Sequence, residues 1–151
     1  AQVARVPNQA LVYLFMKDGA VQNLVLPVEG KGLWSTMYGY VALESDTTTI
    51  AGLTFYEHGE TPGLGGEVDN PSWQALWPGR KAFDSAWTPK IDVIKGAAKP
   101  ADQDPYQVDG LSGATITSRG VGALLRFWLE DQRFGAYLAN FRNQSLTGGQ
   151  G

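Results

Sequence analysis

Residues 10–28 read ALVYLFMKDGAVQNLVLPV, and this stretch decides the fold. Two apolar runs, residues 10–16 and 20–28, flank the turn sequence Asp18-Gly19. Both runs are rich in β-branched and aromatic residues, and Asp-Gly between two such runs is a strong signal for a tight hairpin turn. The stretch therefore predicts a pair of antiparallel strands near the start of the chain.

Further strand-like segments follow the hairpin. Residues 38–45 (YGYVALES) and 49–57 (TIAGLTFYE) are short, rich in strand-forming residues and joined through the polar turn 46–48. Four strands in succession, with short connections, predict an antiparallel meander. A brief helix over residues 70–76 and a strand over residues 91–95 (IDVIK) are predicted after it.

The last third of the chain is predicted to be helical. Apolar residues recur there at spacings of three and four, which places them on one face of a helix. A change of phase around Gly135 predicts a break or a kink between two helices. Strands first and helices last predict an α+β fold, with an antiparallel sheet from the N-terminal part packed against C-terminal helices. The apolar positions are Val121, Leu124, Leu125, Trp128 and Leu129, followed by Phe134, Tyr137, Leu138 and Phe141.

The sequence predicts a single domain. A length of 151 residues suits one hydrophobic core. We expect residues 10–142 to form that domain, residues 1–9 to be a leader or linker and residues 143–151 to be a flexible tail. No run approaches the roughly 18–20 apolar residues that a membrane helix needs.

The composition argues against several function classes. A net charge of −3, with no cluster of Lys or Arg, argues against nucleic acid as a partner. The chain has no cysteine and one histidine, so a cysteine- or histidine-rich metal site is excluded. No pair of acidic and basic groups stands out as catalytic. A redox role would therefore depend on an organic cofactor.

Residues 112–118 read SGATITS and lie just before the predicted amphipathic helix. Four of these seven residues are Ser or Thr, which favour helix N-caps, so a cap is the simplest interpretation. A helix start also offers free N–H groups and the positive end of the dipole, which stabilise a phosphate. Gly113 and Ala114 would let a bulky group lie against the backbone. Both interpretations stay open at this point.

The segment DGLSGAT, residues 109–115, resembles the flavinylation motif of FMN-binding domains. In that family a flavin transferase joins FMN to the last threonine of the motif through a phosphoester bond. The resemblance implies that Thr115 carries covalent FMN. Thr117 is an equally nucleophilic alternative, and only the order of the motif favours Thr115. The matching positions are Asp109, Gly110, Ser112, Gly113, Ala114 and Thr115.

A second segment, HGETPGLG at residues 58–65, resembles the loop of the same family that lies against the flavin. Without the resemblance it would be an ordinary Pro-Gly turn. Trp34 is either an apolar wall for the flavin or a core residue, and His58 is interpreted as a surface residue. No catalytic residue and no metal ligand is predicted. The predicted cofactor-binding residues are Trp34, Glu60, Thr61, Pro62, Gly63, Leu64, Gly65, Ser112, Gly113, Ala114, Thr115 and Thr117.

From residue 10 to roughly residue 142 the chain resembles the C subunits of Na+-translocating NADH:quinone oxidoreductases, above all at residues 30–43 and 60–68. The G subunits of the ferredoxin-linked electron-transport complexes are the related alternative. The resemblance implies an electron carrier on the periplasmic face of the inner membrane. Its expected partners are the other subunits and the flavin transferase, and its anchor is an N-terminal helix outside this chain. A module that binds flavin reversibly, or binds only a protein, is the second hypothesis.

Overall fold

A five-stranded antiparallel meander forms the N-terminal part of the fold. The structure, a computed structural model, describes residues 2–5 and 11–146. The strands follow one another in the sheet in chain order, each antiparallel to the next. The predicted meander is confirmed. Its strands are β1 (Gln2–Arg5), β2 (Leu11–Lys17), β3 (Ala20–Lys31), β4 (Thr36–Glu44) and β5 (Ile50–Glu57).

The hairpin between β2 and β3 turns at the residues that the sequence indicated. Asp18 and Gly19 both have positive φ, 53° and 81°, as a two-residue turn of the primed type requires. Within β4 the side chains alternate between buried and half-buried positions, so one face of the sheet carries the core. Val41 and Leu43 belong to that buried face.

Helices and a small parallel pair of strands follow the meander. The helix that carries the apolar periodicity begins at Thr115, six residues before its first periodic residue. The predicted break lies in a wide π-type turn, Asp131–Gly135, which confirms the change of phase. The predicted strand over residues 91–95 shrinks to two residues, and its partner was not predicted. These elements are α1 (Pro71–Gln74), β6 (Asp92–Val93), β7 (Gln107–Val108), α2 (Thr115–Leu129) and α3 (Ala136–Leu146), with β6 and β7 parallel.

Helix α2 packs directly across β3. A methyl group added at Gly30 would lie 2.5 Å from the Leu124 Cβ, and one added at Gly120 would lie 2.2 Å from the Lys31 carbonyl oxygen. At Gly120 the helix therefore meets the strand backbone to backbone, and at Gly30 the Leu124 side chain packs directly on the backbone of the strand. This contact fixes the first turn of α2 beside the loop that follows β3. The helices against the sheet confirm the α+β fold.

The range boundaries expected from the sequence differ from the observed elements at both ends. Strand β1 lies within the predicted linker 1–9, and α3 extends to Leu146, inside the predicted tail 143–151. Residues 1, 6–10 and 147–151 lie outside the described residues. In the described part of the chain, no helix has the length and apolar character required to cross a lipid bilayer.

Candidate functional site

The segment DGLSGAT connects β7 to α2 and is held in place by the backbone around it. The Gly110 amide donates to the Gly96 carbonyl at 2.9 Å, and a methyl group at Gly110 would lie 2.1 Å from the Ile94 oxygen. The Ser118 hydroxyl accepts from the Leu111 amide at 3.0 Å. The glycine at the second position is therefore needed for the close approach of two backbones.

The first turn of α2 is not capped by a side chain. Its N-cap residue is Ala114, which is buried, and no side chain accepts a hydrogen bond there. The interpretation of SGATITS as a Ser or Thr cap is therefore wrong. The first amides of a helix have no acceptor within the helix, so this turn presents free N–H groups and the positive end of the dipole.

The two candidate threonines differ sharply in environment. Thr115 is exposed at the first position of α2. Thr117 is 2% exposed, and its hydroxyl donates to Oε1 of Glu60 at 2.7 Å. The hydroxyl of Thr115 is therefore open to a modifying enzyme, whereas that of Thr117 is enclosed and already bonded. This difference is absent from the sequence, where both residues are equally nucleophilic.

Glu60 is buried, with only 4% of its surface exposed. Besides Thr117, its Oε1 accepts from the Leu33 amide at 2.7 Å. Its Oε2 accepts from the Trp34 amide at 3.0 Å and from the Ser35 hydroxyl at 2.7 Å. Burial acts to raise the pKa of Glu60, but these hydrogen bonds outweigh it and hold the pKa below its usual value.

The predicted flavin loop forms a tight turn on top of Glu60. The Leu64 amide donates to the Thr61 carbonyl at 3.0 Å, and Gly63 has a φ of +80°, as the third position of a type II turn requires. Thr61, Pro62, Gly63 and Leu64 are exposed. Gly65 is buried, and a methyl group there would lie 2.5 Å from the Thr117 hydroxyl oxygen. The turn can therefore pack directly on α2.

The same turn lies against the DGLSGAT segment. Gly113 has a φ of +70°, and a methyl group added to it would lie 3.2 Å from Cδ2 of Leu64. Ser112 and Gly113 are exposed, whereas Ala114 is buried. The two motifs that the sequence singled out thus come together at the start of α2, with Leu64 beside the glycine that precedes it.

Large exposed apolar side chains lie on the loop after β3, on the 58–65 loop and at the start of α2. Trp34 is 71% exposed, so the alternative of a core tryptophan is wrong. Leu33, Leu64 and Ile116 are also large apolar residues on the surface. We refer to Leu33, Trp34, Leu64 and Ile116 as the apolar wall. Exposed apolar groups gathered in one place are typical of a binding surface.

His58 is more enclosed than a surface residue. Its side chain is 12% exposed, and Nε2 lies 2.8 Å from Oδ2 of Asp69. Its Nδ1 accepts from the Glu60 amide at 3.1 Å, which places the ring proton on Nε2. The His58 ring therefore links the start of the 58–69 loop to its last residue, Asp69.

Sequence reasoning missed Leu33, Ser35 and Ile116. Leu33 and Ser35 flank Trp34 directly, so the loop around that tryptophan was a usable signal. Ile116 lies between two threonines and does not belong to the apolar face of α2. An apolar residue off that face is expected to be exposed, so its position was also a usable signal.

Comparison with known proteins places this geometry in context. A family model described as FMN-binding domain matches residues 32–130. The C subunit of the Na(+)-translocating NADH-quinone reductase of Pseudomonas aeruginosa is 52% identical over 143 residues, which cover 94% of this chain and 55% of that protein. The corresponding subunit of Vibrio parahaemolyticus is 51% identical over 147 residues, covering 97% of this chain and 56% of that protein. The chain thus spans little more than half the length of these relatives.

Solved structures agree with these matches. The crystal structure of Shewanella oneidensis NqrC superposes with a TM-score of 0.85 at 38% identity, covering 93% of this chain and 69% of that one. The crystal structure of the C subunit of the Na(+)-translocating NADH-quinone reductase from Parabacteroides distasonis gives a TM-score of 0.74 at 37% identity, covering 86% of this chain and 63% of that one.

Proposed function

The chain belongs to the FMN-binding domain family, among the C subunits of Na(+)-translocating NADH-quinone reductases, and we propose that it is an electron carrier with FMN joined to Thr115. When bound, FMN supplies reversible uptake and release of electrons. The observation that carries the proposal is that Thr115 is exposed at the uncapped start of α2, and that this helix start and the loop of Leu33 and Trp34 both donate hydrogen bonds to Glu60.

The first turn of α2 fits the phosphate end of the cofactor. Its free amides and the helix dipole favour a negative group, and a phosphoester on Thr115 places that group there. Gly113 leaves the approach open because it has no side chain and adopts a φ of +70°. Ser112 is exposed in the same turn and offers a hydroxyl donor.

The apolar wall fits the ring end. Flavin sites combine an apolar surface with a few polar groups that fix orientation. Trp34 and Leu64 provide that surface from two different loops, and the exposed turn of Thr61, Pro62 and Gly63 provides backbone groups close by. We assign the ring to this wall because Leu64 lies against Gly113, two residues before the attachment threonine.

The wider role follows from the relatives. Their names describe subunits of a Na(+)-translocating NADH-quinone reductase, and we extend that assembly to this chain. In it, the domain passes electrons between neighbouring subunits on the periplasmic side of the inner membrane. A flavin transferase attaches the cofactor during maturation. The domain acts on no small-molecule substrate of its own.

The test is the mass of the protein after co-expression with a flavin transferase. We expect an intact mass raised by one FMN less one water, with fluorescence that stays on the protein band in denaturing electrophoresis. The Thr115→Val variant should lose both signals. If the flavin dissociates when the protein is denatured, covalent attachment is wrong and the protein binds flavin reversibly. A colourless wild-type protein after co-expression would favour a module that binds only a protein partner.

A further inference from the structure

The carboxylate of Glu60 joins three separate segments of the chain. Its donors come from the loop after β3, at Leu33, Trp34 and Ser35, and from the first turn of α2, at Thr117. Glu60 itself begins the turn that carries Leu64. Each carboxylate oxygen accepts two hydrogen bonds, which fills the acceptor capacity of the group. The apolar wall and the attachment helix therefore share one buried anion.

We propose that Glu60 is a positioning residue of the flavin site, fixing the wall residues Leu33 and Trp34 relative to the attachment hydroxyl of Thr115. This inference rests on the proposed function. Thr117 lies two residues after Thr115 in the same helix, so a bond to Thr117 sets the position of the helix start. The bonds to the two wall amides set the position of the loop. One group thus determines the distance between them.

The carboxylate has no room to turn toward the surface. A methyl group at Gly32 would lie 2.3 Å from its Oε1, and one at Gly65 would lie 3.2 Å from its Cβ. The carboxylate therefore packs against the backbone at Gly32, and the Cβ of Glu60 packs near the backbone at Gly65. A direct contact between Glu60 and the cofactor is therefore less consistent with the geometry than an indirect role through the wall and the helix.

Glutamine has the same shape but cannot make the same bonds. Its amide group has one acceptor oxygen, and its NH2 group donates. In either orientation the NH2 group faces one wall amide, that of Leu33 or that of Trp34, and two donors then oppose each other. The hydroxyls of Ser35 and Thr117 can rotate to accept, whereas a backbone amide cannot. The Glu60→Gln substitution therefore disturbs the wall loop selectively.

Amide hydrogen exchange of the flavin-free protein tests the positioning role. In Glu60→Gln we expect the amide of Leu33 or of Trp34 to exchange faster by about tenfold or more. Glu67→Gln is the matched control, because Glu67 lies in the same loop and bonds Asn70 instead. Unchanged exchange at both wall amides in Glu60→Gln would overturn the proposal. If that variant does not fold, Glu60→Asp keeps the charge but shortens the side chain by one methylene group, which draws the carboxylate away from both wall amides. Unchanged exchange at Leu33 and Trp34 in that variant would overturn the proposal as well.

A second readout separates positioning from general loss of stability. In the flavinylated protein, the fluorescence anisotropy of the attached flavin should decay faster in Glu60→Gln than in the wild type. The core variant Ile50→Val lowers stability away from the site and should leave the decay unchanged. Equal decay in Glu60→Gln and wild type would overturn the proposal. Absence of covalent flavin in the wild type would instead refute the proposed function, while the exchange experiment would still decide the role of Glu60 in the fold.

Discussion

Replacing each of the two threonines by valine should give opposite results. Thr117→Val exchanges a hydroxyl for a methyl group of similar size, and it removes the 2.7 Å hydrogen bond to Glu60. Hydrogen bonds to charged groups contribute about 1.5–3 kcal/mol, and this one is almost completely enclosed. For a domain of this size, 1 kcal/mol changes the melting temperature by about 2–4 °C, so we expect a decrease of about 3–12 °C.

Thr115→Val should behave in the reverse way. The residue is exposed, so the free energy of unfolding should change by no more than about 0.5 kcal/mol, or about 2 °C in melting temperature. Covalent flavin should be absent from Thr115→Val and present on Thr117→Val. The conservative variant Thr117→Ser keeps the hydroxyl and should recover most of the lost stability.

The assay combines thermal melting of the flavin-free proteins with in-gel fluorescence after co-expression with a flavin transferase. If Thr117→Val has the same melting temperature as the wild type, the hydrogen bond to Glu60 contributes no net stability. Fluorescence retained by Thr115→Val and lost from Thr117→Val would move the attachment site to the buried threonine. Either result would refute the reasoning from burial.

Three further outcomes follow from the same geometry. Gly110→Ala should destabilise the fold by about 1–3 kcal/mol in urea unfolding, because its methyl group would press on the Ile94 carbonyl; Gly52→Ala, with open space around it, should be nearly neutral. Because the pKa of Glu60 is lowered on folding, its contribution is present above the ordinary value of 4.5 and is lost as the pH falls below it. Urea unfolding between pH 3 and about 6 should therefore show a steeper loss for the wild type than for Glu60→Gln, and parallel curves would contradict this. Trp34→Ala should leave the melting temperature within about 2 °C but give the attached flavin faster local rotation; unchanged rotation would remove Trp34 from the wall.

Local signals explain why the sheet was predictable. The hairpin depends on Asp18 and Gly19, whose positive φ angles are a property of those residue types at that turn. The apolar face of α2 is likewise encoded at spacings of three and four from Val121 onward. The same spacing does not indicate that α2 begins at Thr115, because Ile116 is exposed and does not belong to the apolar face of the helix.

Contacts between distant residues explain what was missed. Strands β6 and β7 have two residues each and pair across a long connection, so neither has a readable pattern of its own. The donors to Glu60 lie 25 to 57 positions away in the chain. The resemblance identified Glu60 as part of a motif, but only the fold shows that its carboxylate is directed inward.

Thr115 is the first residue of a helix whose packing on β3 leaves no space for a methyl group at Gly120. A cofactor tethered at this position reaches only as far as its own ribityl phosphate chain. It cannot act as a swinging arm that visits distant partners while its domain stays still. Electron transfer over a longer distance would require the whole domain to move. The distance that such a carrier can cover would therefore depend on how the domain is attached to its complex, and not on the bond that holds the cofactor.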